Sequence, residues 1–511
     1  MHKKWLWQMI RRRSFVIALL VLQLGLIIYT IAGSSLASEM IGRLFRVLSV
    51  LVCLYIVSKK GPAAYKLTWI FVILLFPLFG GLLYLLFTFQ STTRLFTRKS
   101  ARTEAKAKGR LGFPGTGYAR LLEELPEHTA QAKYLQNYAG FPVYTDTQTK
   151  YLSPGEEKFK CLLEELKKAE TYIFLEYFIV EEGLMWDSIL EILKEKAKQG
   201  VKVRLMYDDM GCFLLLPKDY PEQMAALGIE CRVFNRFKPV LTTTQNNRDH
   251  RKIAVIDGKV AFTGGINLAD EYINAIERFG HWKDASVMLR GKAAWSFTLM
   301  FLQMWELAGE GDEDYSKYYP WTLEDCPVKA SGYVQPYADS PMDKENVGEH
   351  VYLQIIQQAK RYLYINTPYL MVDEAMMSAL CLAAKSGVDV RIVTPHKPDK
   401  WYVHITTRSY YRQLLSAGVR VYEYSRGFIH SKTFVSDDTV ATVGSTNLDY
   451  RSLYLSFECG ALMYRTEAVG QVKEDFLSTL SVCHEISDKD CQCGILKRLF
   501  QDILRLFAPL M

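Results

Sequence analysis

Two copies of one short motif carry side chains that could act on a phosphodiester. Each copy reads His-x-Lys-x4-Asp and, after six further residues, Gly-x-x-Asn. The residues are His250, Lys252, Asp257 and Asn267 in the first copy, and His430, Lys432, Asp437 and Asn447 in the second. A lone His-x-Lys pair would carry little information, but two copies with the same spacing predict a catalytic site.

These residue types suit the transfer of a phosphoryl group. The lysines and asparagines can supply positive charge and hydrogen-bond donors to the non-bridging oxygens of a phosphate. One histidine can attack phosphorus while the other protonates the leaving oxygen, because the unperturbed imidazole pKa is about 6.5. We therefore predict that the histidines, lysines and aspartates of both motifs are catalytic, and that both lysines and both asparagines bind phosphate.

Two further acids follow the motifs, Asp284 in the first half and Glu458 in the second. We expect each to accept a hydrogen bond from the far nitrogen of a histidine and so to fix its tautomer. The alternative is a surface carboxylate at the start of a strand. No group of carboxylates suited to a divalent metal accompanies the motifs, so a covalent mechanism without metal or cofactor is favoured.

Local patterns place the motifs on strands. The β-branched, apolar residues 253–256 and 433–435 predict one strand in each copy, with the histidine and lysine on the same face. Asp257-Gly258 is a hairpin-turn signal, and Asp437-Asp438 is expected to turn the second hairpin in the same way.

The motifs lie within a longer duplication. Residues 197–207 resemble residues 384–394, and apolar segments before and after them also match in order. Each half alternates helical and strand patterns, which predicts an α/β fold with helices covering a mixed sheet. We expect two pseudo-symmetric halves, 135–325 and 326–485, to share one cleft.

The N-terminal residues have the composition of a membrane region. The uncharged runs 14–32 and 67–89 are long enough to cross a hydrocarbon core of about 30 Å, and 47–58 is a shorter apolar segment that extends back to Leu36 only through charged residues. We predict an anchor of two or three hydrophobic helices over 1–92. A break at 77–81 would allow a re-entrant hairpin, so the number of spans and their orientation stay open.

Two segments, one after the N-terminal apolar region and one at the C-terminus, contain basic residues near apolar ones. Residues 93–134 begin with a lysine- and arginine-rich arm, predicted as a juxtamembrane linker. Residues 486–511 include an amphipathic pattern over 495–510 with basic residues outside the apolar face. Such a helix can lie in a lipid interface or pack on the protein body, and the sequence does not distinguish these two placements. The net charge of +7 is modest, and by itself it distinguishes a membrane-surface protein from a nucleic-acid-binding protein only weakly.

Four sequence segments at and around the motifs resemble those of bacterial cardiolipin synthases of the phospholipase D superfamily. They are the motif segments 246–252 and 444–452, together with 207–211 and 366–369. The resemblance covers roughly 135–485, and the apolar N-terminus resembles the same family. Many relatives have Asn-x-Glu where this chain has Ser456-Phe457-Glu458, but the acid remains.

The resemblance implies a two-step reaction in a bacterial plasma membrane. One histidine, assigned as His250, attacks a phosphatidylglycerol and releases glycerol. The other, His430, then deprotonates the headgroup hydroxyl of a second phosphatidylglycerol, which gives cardiolipin. The family uses no metal, and its lipid partners leave no role for nucleic acid. The sequence offers no support for an oligomer and does not exclude one.

Other functions remain open from the motifs alone. They describe the phosphoryl site and not the incoming alcohol, so water or serine would make the protein a phospholipase D or a phosphatidylserine synthase. A nuclease is disfavoured by the membrane segments and by the lack of a basic, aromatic-lined strand-binding region. A catalytically inactive scaffold is disfavoured because both histidines and both lysines are present.

Overall fold

A computed structural model describes Gly25 and residues 36–76, 80–81, 84–85, 91–110, 116–237, 243–320, 328, 330–343 and 345–511. Within these ranges the chain divides into two units. The larger unit comprises residues 97–236 and 247–504. The smaller unit comprises the described parts of 1–96, 237–246 and 505–511.

Fifteen α-helices and eighteen strands lie within the described residues. The helices are α1 (Leu36–Ser58), α2 (Ala63–Leu75), α3 (Ser91–Arg110), α4 (Thr116–Glu124), α5 (Thr129–Tyr134), α6 (Gly155–Leu166), α7 (Leu184–Lys198), α8 (Tyr220–Ala226), α9 (Ala294–Ala308), α10 (Val347–Gln358), α11 (Glu374–Lys385), α12 (Trp401–Ser416), α13 (Tyr450–Tyr454), α14 (Glu467–Leu480) and α15 (Ile495–Phe507). The strands are β1 (Thr147–Leu152), β2 (Tyr172–Tyr177), β3 (Lys202–Asp208), β4 (Glu230–Phe234), β5 (Arg248–Asp249), β6 (Ile253–Ile256), β7 (Val260–Gly264), β8 (His281–Lys283), β9 (Ser286–Gly291), β10 (Tyr333–Asp339), β11 (Tyr362–Asn366), β12 (Asp389–Pro395), β13 (Arg420–Tyr424), β14 (Gly427–Ile429), β15 (Thr433–Ser436), β16 (Val440–Gly444), β17 (Ser456–Tyr464) and β18 (Cys483–Glu485).

The larger unit contains two mixed sheets with the same topology. The first has the strand order β1-β9-β7-β6-β2-β3-β4, and the second runs β10-β17-β16-β15-β11-β12-β13-β18. In each sheet the central strand, β2 or β11, pairs in parallel with one neighbour and antiparallel with the motif strand, β6 or β15. The predicted α/β fold and its duplication are confirmed.

The central strands are buried on both faces because helices cover the sheets. Every residue of β2 and of β11 is buried, and their sequences accordingly lack the polar alternation of a half-exposed strand. Helix α9 is buried along nearly its whole length. The apolar side chains of this core therefore fix the sheets that carry the motifs.

Two short strand pairs cross between the halves. Strand β5, just before the first motif, pairs in parallel with the start of β17 in the second half. Strand β14, just before the second motif, pairs in parallel with β8 in the first half. The segment just before each motif therefore pairs with a strand of the opposite half and not with the sheet of its own half.

The basic arm of residues 94–110 is helical, and its part within the larger unit contacts α9. It forms most of α3, where Lys106 lies 2.9 Å from the Glu306 carboxylate and Lys99 donates to the Leu307 carbonyl oxygen at 3.0 Å. This part of the predicted linker is a helix because alanine, lysine and glutamate favour one, and Glu306 of α9 neutralises part of its charge. The predicted boundary at 325–326 lies outside the described residues.

The smaller unit contains α1, α2 and the chain's last residues. Trp69 of α2 packs edge-on against Tyr84 with ring centroids 5.4 Å apart. Thr68 donates a hydrogen bond of 2.7 Å to the Leu506 carbonyl oxygen, and Phe71 packs against Phe507. The apolar segment 47–58 does extend back to Leu36 as one helix, α1.

The predicted membrane spans are not confirmed. The run 14–32 lies outside the described residues. The run 67–89 does not form one helix, because α2 ends at Leu75 and the Gly80 amide then donates to the Phe76 carbonyl oxygen. Among the helices of the described ranges, none has both the length and the apolar composition needed to cross a membrane.

Candidate active site

Both motif histidines lie just before their strands, not on them. His250 follows β5 and His430 follows β14, whereas the motif strands begin at Ile253 and Thr433. The His250 amide donates to the Phe457 carbonyl oxygen at 3.0 Å, and the His430 amide donates to the Lys283 carbonyl oxygen at 2.7 Å. Each histidine is therefore held by backbone of the opposite half.

The two acids that follow the motifs contact the histidines crosswise. Nδ1 of His250 lies 2.8 Å from Oε1 of Glu458, and Nδ1 of His430 lies 2.7 Å from Oδ2 of Asp284. Both carboxylates are fully buried. The crossing follows from the strand pairs, since β5 lies beside the strand that carries Glu458 and β14 lies beside the strand that precedes Asp284.

Each motif lysine contacts its own histidine. Nζ of Lys252 donates to the His250 carbonyl oxygen at 2.6 Å, and Nζ of Lys432 donates to that of His430. Burial lowers the pKa of Lys252 to about 8 and that of Lys432 to about 7. A bound phosphate anion would restore their charge, so both lysines are poised to bind one.

Both histidines favour the neutral form. Burial, followed by the nearby lysine charges, lowers the pKa of His430 to about 3 and that of His250 well below its ordinary value. With Nδ1–H directed at a carboxylate, Nε2 of each ring keeps a free lone pair. A lone pair on Nε2 can attack phosphorus or take a proton.

The two carboxyl groups differ in how readily they ionise. Burial opposes ionisation of Asp284, but His430 and Lys432 lower its pKa overall. Burial raises the pKa of Glu458 to about 8, and its second oxygen accepts a hydrogen bond from Ser445. At the matching place in the first half stands Gly265, where a Cβ would lie 2.2 Å from an Asp284 oxygen. Asp284, the partner of His430, therefore favours its ionised form more strongly than Glu458, the partner of His250.

The two asparagines are not equivalent. Oδ1 of Asn267 accepts from the Ile179 amide at 3.1 Å, and its Nδ2 donates to the Tyr272 hydroxyl at 2.7 Å. Both ends of this buried amide are therefore occupied by protein. Oδ1 of Asn447 has no hydrogen-bond partner among the described residues. The geometry gives Asn267 the role of holding Tyr272, whose ring packs against His430.

The motif aspartates lie away from the histidines. Asp257 accepts hydrogen bonds from the amides of Glu170, Thr171 and Tyr172 at the start of β2, whereas His250 packs against Phe178 beyond the other end of that strand. At about 3.3 Å per residue, this separation is on the order of 20 Å.

Asp437 makes the same contacts in the second half, where it accepts from the amides of Lys360, Arg361 and Tyr362. Both aspartates also adopt the positive φ of the predicted hairpin turns, 52° for Asp257 and 56° for Asp437. We therefore assign them to the turn and not to the chemistry.

Several site residues were not singled out by the sequence. Arg251, between the motif histidine and lysine, is buried and donates to the carbonyl oxygens of Glu458 and Asp339 at 3.1 and 3.2 Å. Asp208, which the sequence did point to within the resembling segment 207–211, accepts a hydrogen bond from Arg248 of β5 at 3.0 Å and so buttresses the segment before His250. The aromatic rings of Phe178, Tyr272, Trp282 and Phe428 pack around the histidines. The one sequence signal for this placement is that neighbouring side chains of an extended segment point to opposite faces, so Arg251 points away from His250.

No cluster of histidine, cysteine and acidic side chains in the described part of the chain is arranged to hold a metal ion. Cys483, His484, Cys491 and Cys493 are close together in the sequence but show no such arrangement, and the three cysteines among them are free thiols.

Comparisons with known proteins identify the family. A model described as cardiolipin synthase, PLD-like domain, matches residues 162–278 and 352–480, and one described as phospholipase D-nuclease N-terminal matches residues 47–87. The cardiolipin synthase of Geobacillus sp. strain WCH70 is 37% identical over 91% of this chain and 92% of its own length. The chain belongs to the cardiolipin synthase family. It is therefore an enzyme, a phosphatidyltransferase of the phospholipase D superfamily.

The chain is also similar to other proteins. Cardiolipin synthase 2 of Bacillus anthracis is 35% identical over 90% of this chain and 89% of its own length. An uncharacterized protein of Streptococcus mutans is 45% identical over 90% of this chain and 99% of its own. The crystal structure of phosphatidylserine synthase from Haemophilus influenzae shares the fold, with a TM-score of 0.56 and 14% identity over 71% of this chain and 95% of that one.

The turn aspartates lead to a first prediction. Asp437→Ala is expected to lower the free energy of unfolding by about 2 to 4 kcal/mol, because three amides lose a charged acceptor. Activity per folded molecule should stay within about threefold of wild type. Denaturant unfolding and activity measured on the same preparation check this, with Asp257→Ala as the matched variant. A loss of activity with unchanged stability would contradict the assignment.

Proposed function

We propose that the protein is a cardiolipin synthase that joins two phosphatidylglycerol molecules and releases glycerol. The observation that carries the proposal is the pair of neutral imidazoles, one from each half, each held by a buried carboxyl group beside a buried lysine. Two such groups around one phosphate suit an exchange of one alcohol for another at phosphorus. The names of the sequence relatives supply the product, cardiolipin, which two phosphatidylglycerol molecules can form with loss of one glycerol.

In the first step, Nε2 of His250 attacks the phosphorus of the donor lipid. The bond from phosphorus to the glycerol oxygen breaks, and His430, which takes up a proton from solvent when the anionic phosphate binds beside it, gives that oxygen its proton. A phosphatidyl-histidine remains. The ionised Asp284 stabilises the protonated form of His430, which supports the acid/base role for His430 and leaves His250 as the nucleophile.

In the second step, the now neutral His430 takes the proton from a headgroup hydroxyl of the second phosphatidylglycerol. The hydroxyl oxygen bonds to phosphorus, the nitrogen–phosphorus bond breaks, and His250 is regenerated. Lys252 and Lys432 offset the charge on the non-bridging phosphate oxygens in both steps. Oδ1 of Asn447 lacks a partner among the described residues and is an acceptor for a substrate hydroxyl.

We further propose that residues 1–92 anchor the enzyme in the bacterial plasma membrane, with 93–134 as the connection, 135–325 and 326–485 as the two catalytic halves, and 486–511 as the C-terminal segment. Many large apolar side chains of α1 and α2 are exposed, which is unfavourable in water and favourable in lipid. They include Met40, Leu44, Val47, Leu51, Leu54, Leu67 and Leu74. Phosphatidylglycerol and other anionic lipids would then be the partners of the enzyme.

The test is purified full-length protein in phosphatidylglycerol vesicles with excess chelator. Lipid products and free glycerol are followed by mass spectrometry, with the His250→Ala and His430→Ala variants alongside. We expect cardiolipin and glycerol in equal amounts from the wild type and neither from the variants. Phosphatidic acid in place of cardiolipin would make water the acceptor, and phosphatidylserine formed only with added serine would make serine the acceptor. Either result would overturn the specific proposal.

The lysines predict an alkaline limit to activity. Because their pKa values are lowered to about 7 and 8, the free enzyme loses positive charge as pH rises through this range. The specificity constant kcat/KM for phosphatidylglycerol, which reports the free enzyme, should therefore fall above about pH 7 to 8. Lys432→Arg keeps its charge to a higher pH and should move the fall upward. A flat profile to pH 9.5 would contradict this role.

A further inference from the structure

The C-terminal helix α15 exposes its apolar side. The large apolar side chains on this side have 42 to 86% of their surface exposed, and they are Ile495, Leu496, Leu499, Phe500 and Ile503. At 100° per residue they lie together on less than half of the helix circumference. A helix on the surface of a soluble protein normally turns such a face toward the core.

The polar side of α15 lies on the helix surface opposite the apolar side. Sγ of Cys493 lies 3.5 Å from Oε1 of Gln501, so this polar residue is engaged with the preceding loop while the apolar residues face outward. Lys497 and Arg498 are exposed at the edges of the apolar side, and Asp502 is an exposed acid there. The helix therefore presents an apolar strip with basic residues at its edges.

A tryptophan of the second catalytic half extends this strip. Trp401, the first residue of α12, is 61% exposed, and its ring lies nearly parallel to that of Phe500 with centroids 6.5 Å apart. Lys397 and Lys400, beside it in the chain, are also exposed. We call the surface formed by Trp401 and the five apolar residues of α15 the docking face.

We infer that the docking face lies in the headgroup region of an anionic bilayer. Tryptophan is enriched at the membrane–water interface, and an exposed apolar strip edged by lysine and arginine is the composition of an interfacial helix. Anionic headgroups neutralise Lys397, Lys400, Lys497 and Arg498, which a neutral partner would leave uncompensated. A second copy of the chain is disfavoured because its own basic edge would meet this one.

Photo-crosslinking in nanodiscs tests the inference on the full chain. A benzoylphenylalanine is placed at Leu499 on the docking face or, as the matched control, at Gln501 on the opposite, polar side. After illumination in nanodiscs that contain phosphatidylglycerol, we expect lipid adducts at position 499 and at least about tenfold fewer at position 501. Nanodiscs of phosphatidylcholine alone should lower the yield at position 499 several-fold. Crosslinks from position 499 to protein, or no adducts, would overturn the inference.

A second measurement uses substitutions that keep aromatic packing. Brominated phosphatidylcholine quenches tryptophans that contact lipid, so Trp401→Phe should remove part of the quenchable emission of the protein. Trp305→Phe, at a position that is 2% exposed, should leave the quenchable part unchanged. Equal quenching in wild type and Trp401→Phe would contradict lipid contact. Neither measurement requires turnover, so failure of the docking face and failure of the proposed reaction are separable.

Discussion

His250→Ala and His430→Ala are each expected to lower phosphatidyl transfer by at least about 10⁴-fold. One histidine makes the bond to phosphorus and the other moves the proton, so the loss of either stops the whole cycle. The double variant should lose little more than either single variant, because groups that act as a unit are strongly non-additive. Cardiolipin formation per folded molecule is the measurement, and circular dichroism checks the fold.

A donor lipid with an activated leaving group separates the two histidines. A phosphatidyl ester of p-nitrophenol needs no proton on its leaving oxygen, so His430→Ala should still form one phosphatidyl-enzyme adduct and then stop. His250→Ala should form none. Intact-protein mass spectrometry and peptide mapping place the adduct. An adduct on His430 in the His250→Ala variant would reverse the roles that we assign.

The second large effect concerns the crossed carboxylates. Asp284→Asn and Glu458→Gln should each lower cardiolipin formation by about 10² to 10⁴-fold, because an amide favours the wrong imidazole tautomer and cannot stabilise an imidazolium. Exposed Glu467 on α14 offers a control, and Glu467→Gln should keep full activity.

The activated donor also tests the crossing itself. Asp284 contacts His430, so Asp284→Asn should behave like a loss of the acid/base and still form the adduct on His250. Glu458 contacts His250, so Glu458→Gln should slow adduct formation itself. If Asp284→Asn instead blocked adduct formation while Glu458→Gln allowed it, each acid would serve the histidine of its own half.

Much of the fold could be predicted because its signals are local. Runs of β-branched residues placed β6 and β15, and Asp257-Gly258 and Asp437-Asp438 form the expected turns. The arm that forms α3 was interpreted from its charge alone, although its composition also favours a helix. The sequence segments repeated in the two halves were sufficient to predict two similar sheets.

The placement of the site residues could not be predicted from the same signals. His250 and Glu458 are 208 positions apart, and they meet because β5 leaves its own sheet to pair with β17. No periodicity in the chain encodes that exchange. The motif aspartates show the converse, since their spacing from the histidines is fixed by the hairpin, and spacing alone cannot separate a turn residue from a reacting one.

Because β5 and β14 each pair with the opposite half, both histidine–carboxylate pairs form only when both halves of the chain are present. A ribosome that has released only the first half has produced His250 without Glu458, and Asp284 without His430. Such an intermediate holds no complete histidine–carboxylate pair with which to cleave the lipids around it. The enzyme thus becomes reactive toward its own membrane only when synthesis and folding of both halves are complete.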